Sequence, residues 1–78
     1  MEIRETILEI LGDMQPDIDF EQEQNLVTDQ VLDSFDLISL ATELSDEFDV
    51  KITAKQFVKE NFENVDALTA MIEMMLED

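Results

Sequence analysis

Apolar residues recur every three or four positions in three stretches of the chain, a spacing that predicts amphipathic helices. Gly12 and Pro16 indicate where the first helix ends; its apolar residues are Ile3, Ile7, Leu8, Ile10, Leu11 and Met14. The second helix is predicted to start at 33–34 and to run to about 49, with a core face of Leu37, Leu40, Ala41, Leu44 and Phe48. Asn64 is placed to cap a last helix, whose apolar face comprises Val65, Leu68, Met71, Ile72, Met75 and Leu76.

The stretches between these helices predict one long loop and one short helix. Residues 15–32 have no sustained period, and such long loops are often functional; the expected anchors are Ile18, Phe20, Leu26, Val31 and Leu32. Thr53 and Gln56 have the spacing of a capping box, which predicts a short third helix that starts at Thr53. The expected fold is therefore all-α, a small four-helix bundle with a long first loop, and residues 1–78 are predicted to form a single domain.

The charge of the chain limits the classes of partner that it is expected to bind. Its 78 residues include 21 acids and 4 bases, a formal net charge of −17, so binding to nucleic acid or to anionic lipid is not expected. Basic proteins or divalent cations are the expected partners, and the chain is expected to be monomeric. No apolar run is long enough to span a membrane and the N-terminus does not resemble a signal peptide, so a cytoplasmic protein is expected.

Composition also limits the possible chemistry. The chain has no Cys and no His, which excludes disulfides, Cys/His zinc sites and an imidazole base. Asp17, Asp19 and Glu21 alternate as in a calcium loop, but Gln22 stands where the loop needs Gly and Thr28 where it needs Glu. We therefore expect no resident metal.

The second helix carries the strongest functional signal. Asp36, Glu43, Asp46 and Glu47 fall together on the side opposite its core face, and Phe35 lies at the edge of that acidic face. An acidic face is most often simply solvated. An exposed Phe beside it favours recognition of a partner instead.

Ser34 lies at the predicted start of this helix, where Asp33 and Asp36 suit ordinary capping. It cannot be an activated nucleophile, because the chain offers no His and no nearby Lys as a base. The remaining chemical role is that of a serine modified by another enzyme. A helix N-terminus suits a phosphate ester at that position.

The motif Leu32-Asp33-Ser34-Phe35-Asp36, followed by Leu40, Leu44, Glu47-Phe48-Asp49 and Ile52, resembles the acyl carrier proteins. In that family a transferase attaches 4′-phosphopantetheine to the serine of an Asp-Ser-Leu-like motif. The resemblance implies that Ser34 is the attachment site and that Asp33 assists with magnesium, which is needed only during attachment. It also implies a carrier, not an enzyme, that holds thioester-bound intermediates for fatty-acid, polyketide or related biosynthesis.

Some positions depart from the pattern of the resembled family. Phe35 replaces Leu or Met, Ser39 replaces a commonly acidic residue, Thr42 replaces an apolar one, and residues 55–64 are longer and more aromatic. An aminoacyl carrier of the D-alanyl or peptidyl type is therefore an alternative, as is an acidic helical adaptor without a cofactor. The expected partners are the phosphopantetheinyl transferase and loading enzymes with basic patches, and the expected docking residues are Phe35, Asp36, Ser39, Glu43, Asp46 and Glu47.

Overall fold

The computed structural model describes residues 2–77, and in that range the chain forms four helices and no strands. They are α1 (Ile3–Met14), α2 (Ser34–Phe48), α3 (Lys59–Phe62) and α4 (Val65–Glu77). α1 packs against both α2 and α4, and α3 packs against α4. The predicted all-helical bundle is confirmed. Within residues 2–77, no helix has the length and apolar character needed to cross a membrane.

The helices enclose one hydrophobic core, to which every helix contributes. Its buried residues outside the first loop are Ile7, Leu11, Leu40, Leu44, Phe48, Phe62, Val65, Leu68, Met71 and Ile72. Leu37 and Ala41 pack against this cluster as partly buried residues, so the predicted core face of α2 is confirmed. On α4, Leu76 shares the predicted apolar face by helical spacing but is 47% exposed in the last turn of the helix.

Residues 15–33, the upstream loop, contain no helix but are anchored to the core by several apolar side chains. Phe20, Leu26 and Leu32 are buried, and Ile18 and Val31 pack against the core, which confirms the predicted anchors. These apolar side chains attach the loop to the helices at several points along its length, so the chain enters α2 from a fixed direction.

Arg4 joins three parts of the fold by ionic contacts. Its guanidinium lies 3.0 Å from a carboxylate oxygen of Asp66 on α4 and 3.8 Å from one of Glu21 in the upstream loop. Because all three side chains are substantially exposed, the two contacts orient these parts more than they stabilise them.

The third helix begins at Lys59, not at Thr53 as predicted from the capping-box spacing. The side chain of Gln56 does reach back to the amide of Thr53, at 3.1 Å, but the Thr53 hydroxyl donates to that same Gln56 oxygen instead of capping an amide. The amides of Gln56 and Phe57 both bond to the carbonyl of Thr53, which closes a single turn. Val58 is then extended, with φ −120° and ψ 153°, so the turn does not continue as a helix.

The residues after α2, 49–58, form the downstream segment. Asp49 ends the helix in the left-handed conformation, with φ 54°, and its amide donates to the carbonyl of Ser45. The last turn of α2 carries Asp46 and Glu47 and no basic residue. This end of the helix is consequently strongly negative.

Candidate functional site

A reciprocal pair of hydrogen bonds fixes the start of α2. The Asp36 amide donates to Oδ1 of Asp33 at 2.8 Å, and the Asp33 amide donates to Oδ2 of Asp36 at 3.4 Å. Gln15, at the end of α1, also donates to Oδ2 of Asp36 at 3.4 Å. Ser34, the first residue of the helix, is exposed beside this capping box. The sequence of the cap thus determines where the Ser34 hydroxyl is presented.

The predicted docking residues occupy two kinds of environment. Glu43, Asp46 and Glu47 are exposed on α2, and Phe35 is 75% exposed. Asp36 and Ser39 are only half-buried, and the carboxylate of Asp36 is engaged in the cap as well. The open part of the predicted surface is therefore formed by Phe35 and the three acids further along the helix.

An apolar groove runs between α2 and the downstream segment. It is lined by Ile38, Ala41, Thr42, Ile52, Thr53, Ala54 and Phe57. Ile38 is 59% exposed and lies one helical turn after Ser34, so the groove starts about one turn further along α2 than Ser34. Ile38 was not predicted as a surface residue, although its position outside the core stripe is a usable signal.

A small cavity adjoins this groove. It has a volume of about 110 Å³ and is lined by Val27, Leu37, Phe57, Val58, Lys59 and Phe62. Phe57 also lines the groove, and its ring packs edge-on against Phe62 with the ring centres 5.2 Å apart. Phe57 therefore forms a wall shared by the groove and the cavity.

Glu63, which lies between α3 and α4, binds the upstream loop and was not identified from the sequence. Its Oε1 accepts from the amides of Val27 and Thr28, both at 3.0 Å, and its other carboxylate oxygen accepts from the Thr28 hydroxyl. The bonds from Thr28 hold the pKa of Glu63 below its ordinary value, with a smaller contribution in the same direction from the charge of Lys59. No local sequence pattern predicts this contact, because Thr28 and Glu63 are 35 positions apart in the chain.

The acids of the upstream loop do not assemble into a metal centre. Asp17, Asp19 and Glu21 are all exposed. Across residues 2–77, no group of three or more acidic side chains is arranged to hold a metal ion.

The sequence was also compared with known protein families. A family model described as a phosphopantetheine attachment site matches residues 2–72. The match spans α1, α2, α3 and most of α4, and it includes Ser34 with its capping box. No curated protein matches the chain.

Proposed function

The chain belongs to the phosphopantetheine attachment site family, and we propose that Ser34 is the residue that receives the 4′-phosphopantetheine group. Proteins of this family carry that group covalently, and its thiol holds intermediates as thioesters. The chain has no Cys of its own, so the attached group would supply its only thiol. Such carrier domains are generally not catalysts, and we propose the same for this chain.

The observation that carries the assignment is the exposure of the serines. The chain has three, Ser34, Ser39 and Ser45, and all lie within α2 and within the matched range. Ser39 and Ser45 are half-buried along the helix, whereas Ser34 is exposed at its first position. A transferase must reach the hydroxyl directly, and this favours Ser34.

The surroundings of Ser34 suit a phosphate ester. The amides of Ser34 and Phe35 lie in the first turn of α2. Amides in a first turn have no acceptor carbonyl within the helix. The positive end of the helix dipole adds to the attraction for a phosphate. Asp33 uses Oδ1 for the cap, and we propose that its second oxygen assists magnesium during attachment only.

The docking surface is proposed to combine charge with apolar contact. Glu43, Asp46 and Glu47 would attract basic patches on the transferase and on the loading enzymes and so speed encounter. Phe35, which follows Ser34 directly and is 75% exposed, would supply the apolar contact. Asp36 and Ser39 lie at the half-buried edge of this surface.

The cargo is proposed to be an acyl group of fatty-acid, polyketide or related biosynthesis. The cavity of about 110 Å³ beside the groove is smaller than the roughly 150 Å³ cavity that can hold one benzene molecule. An apolar pocket of this size can take part of an acyl group, and an aminoacyl carrier is kept as the second candidate function. Methyl NMR signals of Val27 and Leu37 should move when a butyryl group is attached, and unchanged signals would argue against cargo in the cavity.

Two further properties are proposed from composition. A chain without Cys suits the reducing cytoplasm. A net charge of −17 opposes self-association, so we propose a monomer, which sedimentation at neutral pH would test.

The test of the proposed function is intact mass after incubation with coenzyme A, magnesium and a promiscuous phosphopantetheinyl transferase. The wild type should gain the mass of one phosphopantetheine group, and Ser34→Ala should gain none while keeping the helical circular dichroism. Ser45→Ala, which removes a half-buried hydroxyl of the same helix, should be modified like the wild type. An unmodified wild type would favour the adaptor without a cofactor, and modified Ser34→Ala would move the attachment to another residue.

A further inference from the structure

We propose that Glu63 is a positioning residue for the attachment reaction. Its carboxylate holds the turn that leads into the cap of α2, and this turn determines how Ser34 is presented to the transferase. The inference rests on the proposed assignment of Ser34 as the attachment site. Glu63 follows Ser34 by 29 positions and acts from the junction of α3 and α4, on the other side of the upstream loop.

Glu63 makes several contacts with the upstream loop at this junction. Four hydrogen bonds join Glu63 to three consecutive loop residues. Its backbone carbonyl accepts from the Leu26 amide at 2.7 Å, and its carboxylate accepts from the amides of Val27 and Thr28 and from the Thr28 hydroxyl. Hydrogen bonds to an ionised acceptor are stronger than neutral ones. Glu63 thus binds one short stretch of the loop through both its own backbone carbonyl and its own carboxylate.

A compact turn connects that stretch of the loop to the cap of α2 and to Ser34. The Leu32 amide donates to the carbonyl of Leu26 at 3.1 Å, which closes residues 26–32 into a compact turn. Within it the Gln30 amide donates to the carbonyl of Val27 at 3.1 Å, and Gln30 has the left-handed conformation with φ 56°. Leu32 is followed directly by Asp33, the cap of α2. Glu63 therefore holds the base of a turn whose other end adjoins the attachment site.

This turn has a consequence for a transferase. The enzyme needs the Ser34 hydroxyl in one orientation, so a loop that samples several conformations lowers the fraction of competent carrier. A reduced competent fraction weakens apparent binding without changing the chemical step once the complex has formed. Loss of the Glu63 contacts should consequently raise KM for the carrier and leave kcat unchanged.

The experiment compares Glu63→Ala and Glu63→Gln with Glu60→Ala as the matched control. Glu60 is an exposed acid on α3, three positions before Glu63, so its replacement removes the same charge from a neighbouring position. Amide hydrogen exchange is measured by NMR at Val27, Thr28 and Leu32, with Leu11 and Ile72 as core references. The kcat and KM of a phosphopantetheinyl transferase are then measured with each variant as the substrate.

Glu63→Ala should speed exchange at Val27 and Thr28 by about tenfold or more, because each loses a charge-assisted hydrogen bond. The amide exchange rates of Leu11 and Ile72, the core references, should be the same as in the wild type. The transferase should show a KM for this variant raised by about five- to tenfold, with kcat preserved. Glu63→Gln keeps an oxygen that can accept from both amides and should restore most of the KM. Glu60→Ala should match the wild type in both measurements.

Faster exchange with an unchanged KM would overturn the positioning role and leave Glu63 a purely structural contact. Unchanged exchange would overturn the contact itself. If Glu63→Ala does not fold, Thr28→Val removes only the hydroxyl contact and should raise KM in the same direction to a smaller extent, and an unchanged KM there also counts against the proposal. A wild type that is not modified at all would instead refute the assignment of Ser34 as the attachment site. The exchange data do not depend on that assignment.

Discussion

The two irregular segments that flank α2 differ sharply in how they are held. The upstream loop buries Phe20, Leu26 and Leu32 and is gripped by Glu63. In the downstream segment no residue is fully buried, and Ile52 and Gln56 are among the few that are even half-buried. Both segments have similar irregular backbone, so the difference lies in side-chain contacts and not in secondary structure.

This difference assigns separate tasks to the two sides of α2. The upstream loop fixes the position of the first helical turn, which carries Ser34. The downstream segment leaves Phe57 and Val58 about 40% exposed next to the apolar groove, where a partner can contact them. With Ser34 as the proposed attachment site, this arrangement places a firmly held residue beside an exposed apolar surface.

Substitutions in the two segments should differ most in their effect on stability. Leu26→Ala should lower the free energy of unfolding by about 2 to 5 kcal/mol, because it leaves a cavity at a fully buried position. Ile52→Ala, at a half-buried position of the downstream segment, should cost only about 1 kcal/mol. Urea unfolding followed by circular dichroism measures both. Equal losses would mean that the two segments are equally part of the core.

An intermediate effect is expected on docking. Ile38→Ala removes an exposed side chain from the groove, and should weaken transferase binding by about 1 to 3 kcal/mol, mainly through faster dissociation. Replacing Glu43 and Glu47 with Lys should instead slow association and reduce its salt dependence. Met74→Ala, which removes another exposed apolar side chain, from α4, is the control and should bind as the wild type does. Surface-binding kinetics distinguish these outcomes, and a Met74→Ala effect as large as that of Ile38→Ala would argue against the groove.

The smallest effect is the pH dependence of the Glu63 contact. Its pKa is lowered in the folded chain, so the stabilisation is present above its ordinary value of 4.5 and is lost as the pH falls through the lowered value. The stability difference between wild type and Glu63→Gln should therefore shrink on acidification. The Thr28 amide shift, followed by NMR, should titrate with a midpoint below 4.5 in the wild type and lose this transition in Glu63→Gln. A midpoint at or above 4.5 would contradict the contact.

Local patterns predicted much of this fold. The capping residues Asp33 and Asn64 were read correctly, since the amide of Ala67 bonds to Oδ1 of Asn64 at 2.8 Å just as a cap requires. The apolar stripes gave the three long helices and most of the core because each stripe depends on neighbours three or four residues apart. Even the anchors of the upstream loop could be recognised as isolated apolar residues in a polar stretch.

The failures involve contacts that sequence spacing does not encode. Thr53 and Gln56 have the residues of a capping box, but the extended backbone at Val58 stops the helix that the pattern predicts. Glu63 looks like one acid among 21, and only the folded chain places it against the amides of Val27 and Thr28. Ser34 was predicted as the attachment site from its motif, whereas no motif could have predicted the contacts of Glu63.

The far end of α2 has a consequence for how binding and folding are linked. Asp46, Glu47 and Asp49 crowd the negative pole of the helix dipole, where their charges oppose the alignment of the peptide groups. In the isolated carrier, an unfavourable electrostatic interaction therefore remains at that end of the helix. A cationic partner that settles there relieves it, and by mass action every such partner also makes the carrier itself harder to unfold.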